Sequence, residues 1–265
     1  MQKNLSFQNK KLQYRVMGEG QPVVLVHGFG EDQQVWDHQT ENLAKRFMLI
    51  LPDLPGSGGS ELADDVSMEN LAEAIHAILM QEKLETVVMM GHSMGGYVTL
   101  AFAEKYPNML RAFALVHSTA YPDTEEKITT RRKAIEFMRR NGAKEFIKNS
   151  SPNLFSAETK QERPDLVETL TNLYKDMDVH ALIAYYEAMI KRPDRTHVLK
   201  EFNRPILFLA GEQDSAIPYD QVVQQSALPL LSYLHALHRS GHMGMWEEPK
   251  ESGLILEEFV KNNVL

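Results

Sequence analysis

The sequence predicts an α/β fold with a mostly parallel central sheet and helices on both of its faces. The first observation is a series of short, continuous apolar runs, which are typical of strands covered on both faces. The second is that longer segments with apolar residues at helical spacing lie between these runs, an alternation typical of parallel sheets. The length of 265 residues allows one sizeable core with an insertion.

Seven segments are predicted to be strands. Val23–His27 is the clearest, with four consecutive apolar residues before its histidine. The other six are Leu12–Met17, Phe47–Leu51, Thr86–Met90, Ala112–His117, Ile206–Ala210 and Leu230–Ala236. Apolar residues recur every three or four positions in three segments that we predict to be helices, Asn70–Met80, Tyr97–Tyr106 and Leu254–Val260.

Residues 119–202 interrupt this alternation, because they contain no convincing strand and are rich in charged residues and helix formers. We expect about four helices here, including Glu125–Arg140 and His180–Lys191. The helices should break at Asn141–Gly142, Ser151–Pro152, Arg163–Pro164 and Arg192–Pro193. Such a segment is long for one crossover connection, so we predict a helical lid at 119–202 inserted into a core formed by 1–118 and 203–265. Ordinary outer helices are the alternative.

Composition excludes several classes of function. The chain has 28 Lys and Arg against 36 Asp and Glu, a net charge of −8, which argues against a general nucleic-acid binder. It has no cysteine, so thiol nucleophiles and zinc–thiolate sites are excluded. The sequence has no apolar run long enough for a secretory signal or a membrane span and no metal-ligand motif. We therefore expect a soluble, cytoplasmic protein with no membrane partner and no metal.

The strongest motif is Gly91-His92-Ser93-Met94-Gly95, which lies between a predicted strand and a predicted helix. This is the G-x-S-x-G pattern of a nucleophile elbow. Small residues around the serine let strand and helix approach each other while the turn exposes the hydroxyl. Ser93 is therefore the candidate nucleophile.

Two further segments extend the pattern. His27-Gly28-Phe29-Gly30 follows a buried strand, and LPDLPGSGGS at 51–60 lies between it and the elbow. With the GHSMGG segment, they resemble the α/β-hydrolase superfamily over nearly the whole chain. The resemblance implies the α/β-hydrolase fold and an oxyanion hole made by the backbone N–H groups of Phe29 and Met94. We expect the His27 side chain to be structural.

A serine hydroxyl needs a base, and the base needs an orienting carboxylate. In the family these follow the serine in the order acid, then histidine. His242 is the candidate base because it follows Gly241 in a loop after the last predicted strand. Asp214 is the candidate acid, in the loop that begins at Gly211 after another strand, while Glu212 and Asp123 remain alternatives.

These residues predict a cofactor-independent serine hydrolase that cleaves small to medium apolar esters, with Met243, Met245 and Trp246 beside the acyl pocket. One alternative is hydrolysis of carbon–carbon bonds in ring-fission products, which requires polar groups such as Arg131, Arg132 or Arg192 to hold the substrate. Another is a ligand sensor with slow turnover, because residues 29–36 are similar to hydrolase-like receptors for plant butenolide hormones and to a related bacterial stress regulator.

Overall fold

The computed structural model describes residues 1–263, so the last two residues of the predicted core segment lie outside the described residues. It contains one eight-stranded sheet with the order β1-β2-β4-β3-β5-β6-β7-β8. The strands β1 and β2 are paired antiparallel, as are β2 and β4, whereas the remaining neighbours are parallel. The strands are β1 Gln2–Phe7, β2 Lys10–Met17, β3 Gln21–Val26, β4 Phe47–Pro52, β5 Val87–His92, β6 Leu110–Val116, β7 Ile206–Gly211 and β8 Ser232–Leu237. The predicted mostly parallel α/β fold is confirmed.

Helices cover both faces of this sheet. They are α1 Asp37–Leu43, α2 Met68–Gln81, α3 Met94–Lys105, α4 Glu125–Ser150, α5 Ala157–Glu162, α6 Pro164–Tyr174, α7 Val179–Lys191, α8 Thr196–Glu201, α9 Tyr219–Ser226, α10 Gly244–Glu247 and α11 Pro249–Asn262. Side chains of β3 show why its run is continuously apolar. Val24 and Val26 pack in one core with α2 and α3, whereas Val23 and Leu25 pack in a second core with α1 and α11.

Residues 119–202, all of which are described, carry helices α4 to α8 and no strand. We refer to this segment as the helical insertion. It lies in sequence between β6 and β7, which are hydrogen-bonded neighbours in the sheet. Within α4 the backbone of Gly142 has a φ of 82°, so the helix kinks at the glycine where a break was predicted.

The bounds of the predicted strands shift by one or two residues, and one strand was missed. The edge strand β1 was not predicted, because its residues alternate between exposed and half-buried and so form no apolar run. The last strand begins at Ser232 rather than Leu230, and the side chain of Leu230 is 78% exposed. No helix within residues 1–263 has both the length and the apolar character required to cross a membrane.

Candidate active site

Ser93 occupies the sharp turn between β5 and α3. Its backbone has φ 49° and ψ −115°, a left-handed conformation that is unfavourable for a residue with a Cβ. Hydrogen bonds hold the turn: the Ser93 N–H donates to the carbonyl of Val116 at 2.9 Å, and the Ser118 hydroxyl donates to the carbonyl of Ser93 at 2.7 Å. The strained turn therefore has the backbone of a nucleophile elbow.

Two glycines permit this turn. A Cβ on Gly95 would overlap the carbonyl oxygens of Val26 and His27, and a Cβ on Gly91 would overlap the backbone of Gly95. All of these obstacles are backbone atoms, so no side chain can move aside. Gly91 therefore lets α3 approach β5, and Gly95 lets α3 approach the end of β3.

His242 and Asp214 are brought together by the loops after β8 and β7. The Nδ1 atom of His242 lies 2.8 Å from Oδ2 of Asp214. The other oxygen, Oδ1, accepts the backbone N–H groups of Ala216 and Ile217 at 2.8 and 2.9 Å. Burial opposes ionisation of this carboxyl, but the attraction and hydrogen bond of His242 outweigh it and hold the pKa of Asp214 well below its usual value. Asp214 is therefore a carboxylate that orients the ring of His242.

Ser93 and His242 line one cavity of about 230 Å³, and Phe29 lies in its wall. Among residues 1–263, the backbone N–H groups of Phe29 and Met94 donate no hydrogen bond. Each adjoins a residue at the centre of the site, since Met94 follows Ser93 and Phe29 follows Gly28, where an added Cβ would lie 3.1 Å from the Cβ of Ser93. The two backbone N–H groups predicted to form an oxyanion hole are therefore available as hydrogen-bond donors.

His117 is a buried neighbour that the sequence did not single out. It directly follows β6 and has a φ of 49°, and its Nδ1 atom lies 3.4 Å from Oδ2 of Asp214. The N–H of Gly211 donates to that same Nδ1 at 3.2 Å. Burial lowers the pKa of His117 by more than the nearby carboxylate raises it, so the ring is neutral.

The ligand atoms of His117, Asp214 and His242 lie within 4.8 Å of one another, a spacing that would suit a metal ion. Two of these atoms already have hydrogen-bond partners: Nδ1 of His117 accepts the Gly211 N–H, and Nδ1 of His242 donates to Asp214. Hydrogen bonding therefore accounts for the cluster without a metal.

A second buried pair, Glu31 and His92, connects the loop after β3 to the loop of His242. Oε2 of Glu31 accepts the Gly28 N–H at 2.7 Å and lies 2.9 Å from Nδ1 of His92. The Nε2 atom of His92 lies 3.0 Å from the carbonyl oxygen of His242. A carbonyl can only accept, so Nε2 carries a proton, and a carboxylate at Nδ1 gives that nitrogen a proton too. The contacts therefore favour an imidazolium paired with a carboxylate.

The electrostatics of the pair agree with this assignment. Burial opposes ionisation of Glu31, but the attraction of His92 and the hydrogen bonds from His92 and Gly28 lower the pKa of the carboxyl. Burial likewise opposes the charged form of His92, but Glu31 raises the pKa of the ring. Nothing in the sequence indicates this pair, since the two residues are 61 positions apart.

Replacing Glu31 by glutamine is expected to reduce the free energy of unfolding by about 3 kcal/mol, because it leaves a buried ring without its counter-charge. The lowered pKa of Glu31 adds stability that is present above its ordinary value of 4.5 and lost as the pH falls through the folded value. The raised pKa of His92 adds stability that is present below 6.5 and lost as the pH rises through the folded value. The difference between the two proteins should therefore be largest between these limits in urea unfolding at a series of pH values.

The exposed Glu19 supplies a matched control, since Glu19→Gln removes a carboxylate that has no buried partner. That variant should unfold like the unmodified protein at every pH. A difference for Glu31→Gln that did not vary with pH would contradict an ionised pair.

Glu247 joins the His242 loop to the helical insertion. Its Oε1 accepts the N–H of Gly241 and its Oε2 accepts the N–H of Ser156, both at 2.8 Å. The N–H of His242 itself donates to the carbonyl of Leu154 at 2.7 Å. The backbone around His242 is therefore fixed by contacts with residues 154–156.

The structure corrects the predicted pocket. Met243, Met245 and Trp246 are buried in the core below α1 and α11, and none of them lines the cavity. The reason is local, because the chain turns into α10 at Gly244, two residues after His242, and these side chains point into that core. There the Trp246 ring nitrogen donates to the carbonyl of Val35 at 2.9 Å. The helical insertion supplies most of the walls instead, through Lys127, Thr130, Arg131, Ala134, Ile147, Leu154, Leu170, Tyr174, Tyr186 and Met189.

The alternative acids have other partners. Asp123 lies 2.6 Å from Nε of Arg131 and 2.9 Å from Nη1 of Arg192. Glu212 is exposed and lies 2.8 Å from Nδ1 of His238. Of the three acidic residues considered, the structure places only Asp214 against His242.

Three features together define a protein of the hydrolase type. They are the mostly parallel sheet of this order, the strained serine after β5, and the carboxylate–histidine pair after β7 and β8. The family described as the alpha/beta hydrolase fold matches residues 21–249, and the chain belongs to that family.

Several known proteins are similar to the chain. A thermophilic esterase from Thermogutta terrifontis, solved with malate bound, has a TM-score of 0.93 and 28% identity, covering 99% of this chain and 98% of that one. An esterase from Exiguobacterium antarcticum has a TM-score of 0.90 and 21% identity over 98% of this chain and 100% of its own, a likeness of fold alone. The 2-hydroxy-6-oxononadienedioate/2-hydroxy-6-oxononatrienedioate hydrolase 1 of Pseudomonas putida is 26% identical over 94% of this chain and 91% of its own length.

Proposed function

We propose that the protein is a serine hydrolase that cleaves carboxylic esters of small molecules through an acyl-enzyme intermediate. One observation carries the proposal: a strained serine and a histidine bonded to a buried carboxylate line the same cavity. The family and the esterase from Thermogutta terrifontis support the same class of reaction.

In this proposal the Ser93 hydroxyl attacks the ester carbonyl while Nε2 of His242 accepts its proton. Asp214 holds the Nδ1 proton of His242, which leaves the lone pair on Nε2 free to act as the base. The protonated ring then donates its proton to the leaving alcohol as the carbon–oxygen bond breaks. Water, activated by the same ring, hydrolyses the acyl-enzyme and releases the acid.

The backbone N–H groups of Phe29 and Met94 stabilise the negative charge that forms on the carbonyl oxygen. Such donors are fixed before the reaction, so no reorganisation is needed as the charge develops. Gly28, whose N–H is bound by Glu31, holds the backbone next to Phe29. No cofactor is required for this chemistry.

The helical insertion acts as a lid in this proposal. Its aromatic residues pack onto the loop after β3 that carries Phe29, where the Phe29 and Tyr186 rings stack with centroids 4.1 Å apart. Phe146 meets both rings edge-on, at 6.1 and 5.8 Å. These contacts hold the lid against the loop that carries Phe29, beside the cavity that contains Ser93.

The proposal is tested with p-nitrophenyl acetate, butyrate and octanoate. We expect repeated turnover, with kcat/KM of about 10⁴ M⁻¹s⁻¹ for the best ester. Protein treated beforehand with a fluorophosphonate is the control and should be inactive, with one phosphonyl group on Ser93 by mass spectrometry. A single slow turnover would contradict the proposal and favour a ligand sensor.

Hydrolysis of carbon–carbon bonds is the second candidate, favoured by one observation. Arg131 lies in the cavity wall, where a guanidinium would hold the carboxylate of a ring-fission product. The Pseudomonas putida relative is named for such dienedioates. A ring-fission dienoate in the same assay separates the two reactions, because faster turnover of the dienoate than of every ester would favour this second function.

A further inference from the structure

The cavity wall formed by α4 carries two basic side chains. Lys127 and Arg131 are four residues apart, so they lie on the same face of the helix, and both line the cavity that contains Ser93. The Lys127 ammonium donates to the carbonyl of Ala216 at 2.8 Å, which places it beside the Asp214 loop. Neither residue is needed for the ester chemistry proposed above.

Arg131 is held in a fixed orientation. Its Nε donates to Oδ2 of Asp123 at 2.6 Å, and Nη2 lies 3.4 Å from Oδ1. Its guanidinium carbon lies 5.0 Å from the centre of the Tyr186 ring. A guanidinium has five N–H donors and these bonds use two, so the group is oriented in advance for a further acceptor.

The charges around Arg131 do not cancel. Asp123 is fully buried and is shared with Arg192, whose side chain is only 3% exposed, so two guanidinium groups face one carboxylate. Lys127 adds a further positive charge. Glu31 is the one carboxylate among the described residues that line the cavity, and its partners are His92 and Gly28. This wall therefore carries an excess of positive charge at a place where low solvent access strengthens electrostatic interactions.

We propose that the substrate carries a carboxylate that binds to Arg131 and Lys127 while Ser93 attacks its ester carbonyl. This inference rests on the proposed hydrolase function and specifies its substrate class. The apolar walls contact the chain between the two groups, and the basic residues select esters with an anionic end over neutral esters of the same shape. The contrasting explanation is that the two cations only hold Asp123 and Ala216 in place.

Two matched pairs of esters test the proposal. In the first pair the charge is in the acyl group: mono-4-nitrophenyl adipate and its neutral isostere 4-nitrophenyl 6-methylheptanoate. In the second it is in the leaving group: 3-carboxyphenyl and 3-nitrophenyl pentanoate. The measured quantity is kcat/KM of the anionic ester divided by that of the neutral ester. Comparing this ratio between variants cancels the intrinsic reactivity of each ester.

Arg131→Met is expected to lower this ratio about 10-fold to 100-fold for at least one pair, the effect of losing hydrogen bonds to a charged group. Lys127→Met should lower it for the same pair. Arg132→Met is the matched control, since Arg132 is the next residue of α4 but is exposed outside the cavity, and its ratio should equal that of the unmodified protein.

The outcomes separate the two proposals. If the neutral esters are hydrolysed but both ratios stay the same in Arg131→Met and Lys127→Met, the substrate class is wrong and the hydrolase function stands. If no ester of either pair is hydrolysed, the hydrolase function itself is contradicted. Circular dichroism of each variant establishes that a lowered ratio belongs to a folded protein.

Discussion

Replacing Ser93 by alanine is expected to lower kcat for the best p-nitrophenyl ester by about 10⁴-fold or more, since no other group in the proposed mechanism can form the acyl-enzyme. Alanine fits the same strained backbone as serine, because both have a Cβ. The variant should therefore keep its thermal midpoint while it loses turnover. Both quantities are measured on the same preparation, by steady-state kinetics and by thermal unfolding.

Ser226→Ala provides the control for this experiment. Ser226 lies at the end of α9, and its hydroxyl donates to the carbonyl of Val223 rather than facing the cavity. Its removal should leave kcat unchanged. Ester turnover by Ser93→Ala at the unmodified rate would reject Ser93 as the nucleophile, and with it the proposed mechanism.

Replacing Asp214 by asparagine should lower kcat by a similar amount, about 10⁴-fold, through the wrong tautomer of His242. The Oδ1 position faces two backbone N–H groups, from Ala216 and Ile217, so it must remain an acceptor. The amide nitrogen is then forced into the Oδ2 position, where it donates to Nδ1 of His242. The ring proton moves to Nε2, and the atom that should accept the serine proton is no longer a base.

Glu212→Gln is the matched control, because it neutralises an acid two positions away in the same loop. Glu212 is exposed and pairs with His238, so this change should have little effect on kcat. The reverse result, a large loss for Glu212→Gln and a small one for Asp214→Asn, would assign the orienting role to the other carboxylate. Steady-state kinetics of the two variants decide between them.

The extent to which the fold was predictable follows from how each strand is buried. Strand β3 packs into two cores, so its residues 23–26 are all apolar and the run is evident in the sequence. Strand β1 lies at the sheet edge beside β2, and its alternating exposure leaves only weak periodicity in six residues. Leu230 and Leu231 extended an apolar run beyond the true strand, since exposed leucines are indistinguishable in sequence from buried ones.

The candidate site was predictable only where the local backbone requires a particular residue type in the sequence. Gly91 and Gly95 are such positions, because backbone atoms lie so close to them that no side chain fits. The pairing of Glu31 with His92 and the position of His117 against Asp214 have no such signal in the sequence, since they depend on how distant loops meet. The pocket prediction failed for the same reason: neighbours of His242 in sequence point into the core, and the walls come from helices elsewhere in the chain.

The hydrogen bonds between residues 154–156 and the His242 loop restrict the route by which a substrate enters. If the whole insertion moved outward as one body, Leu154 would pull on the backbone of His242 and Ser156 would pull on Glu247. We therefore expect residues 154–156 to stay in place when a substrate enters. A chimera that receives its insertion from another hydrolase would keep Glu247, so the donated segment would have to present a carbonyl at position 154 and an N–H at position 156 to hold the His242 loop in place.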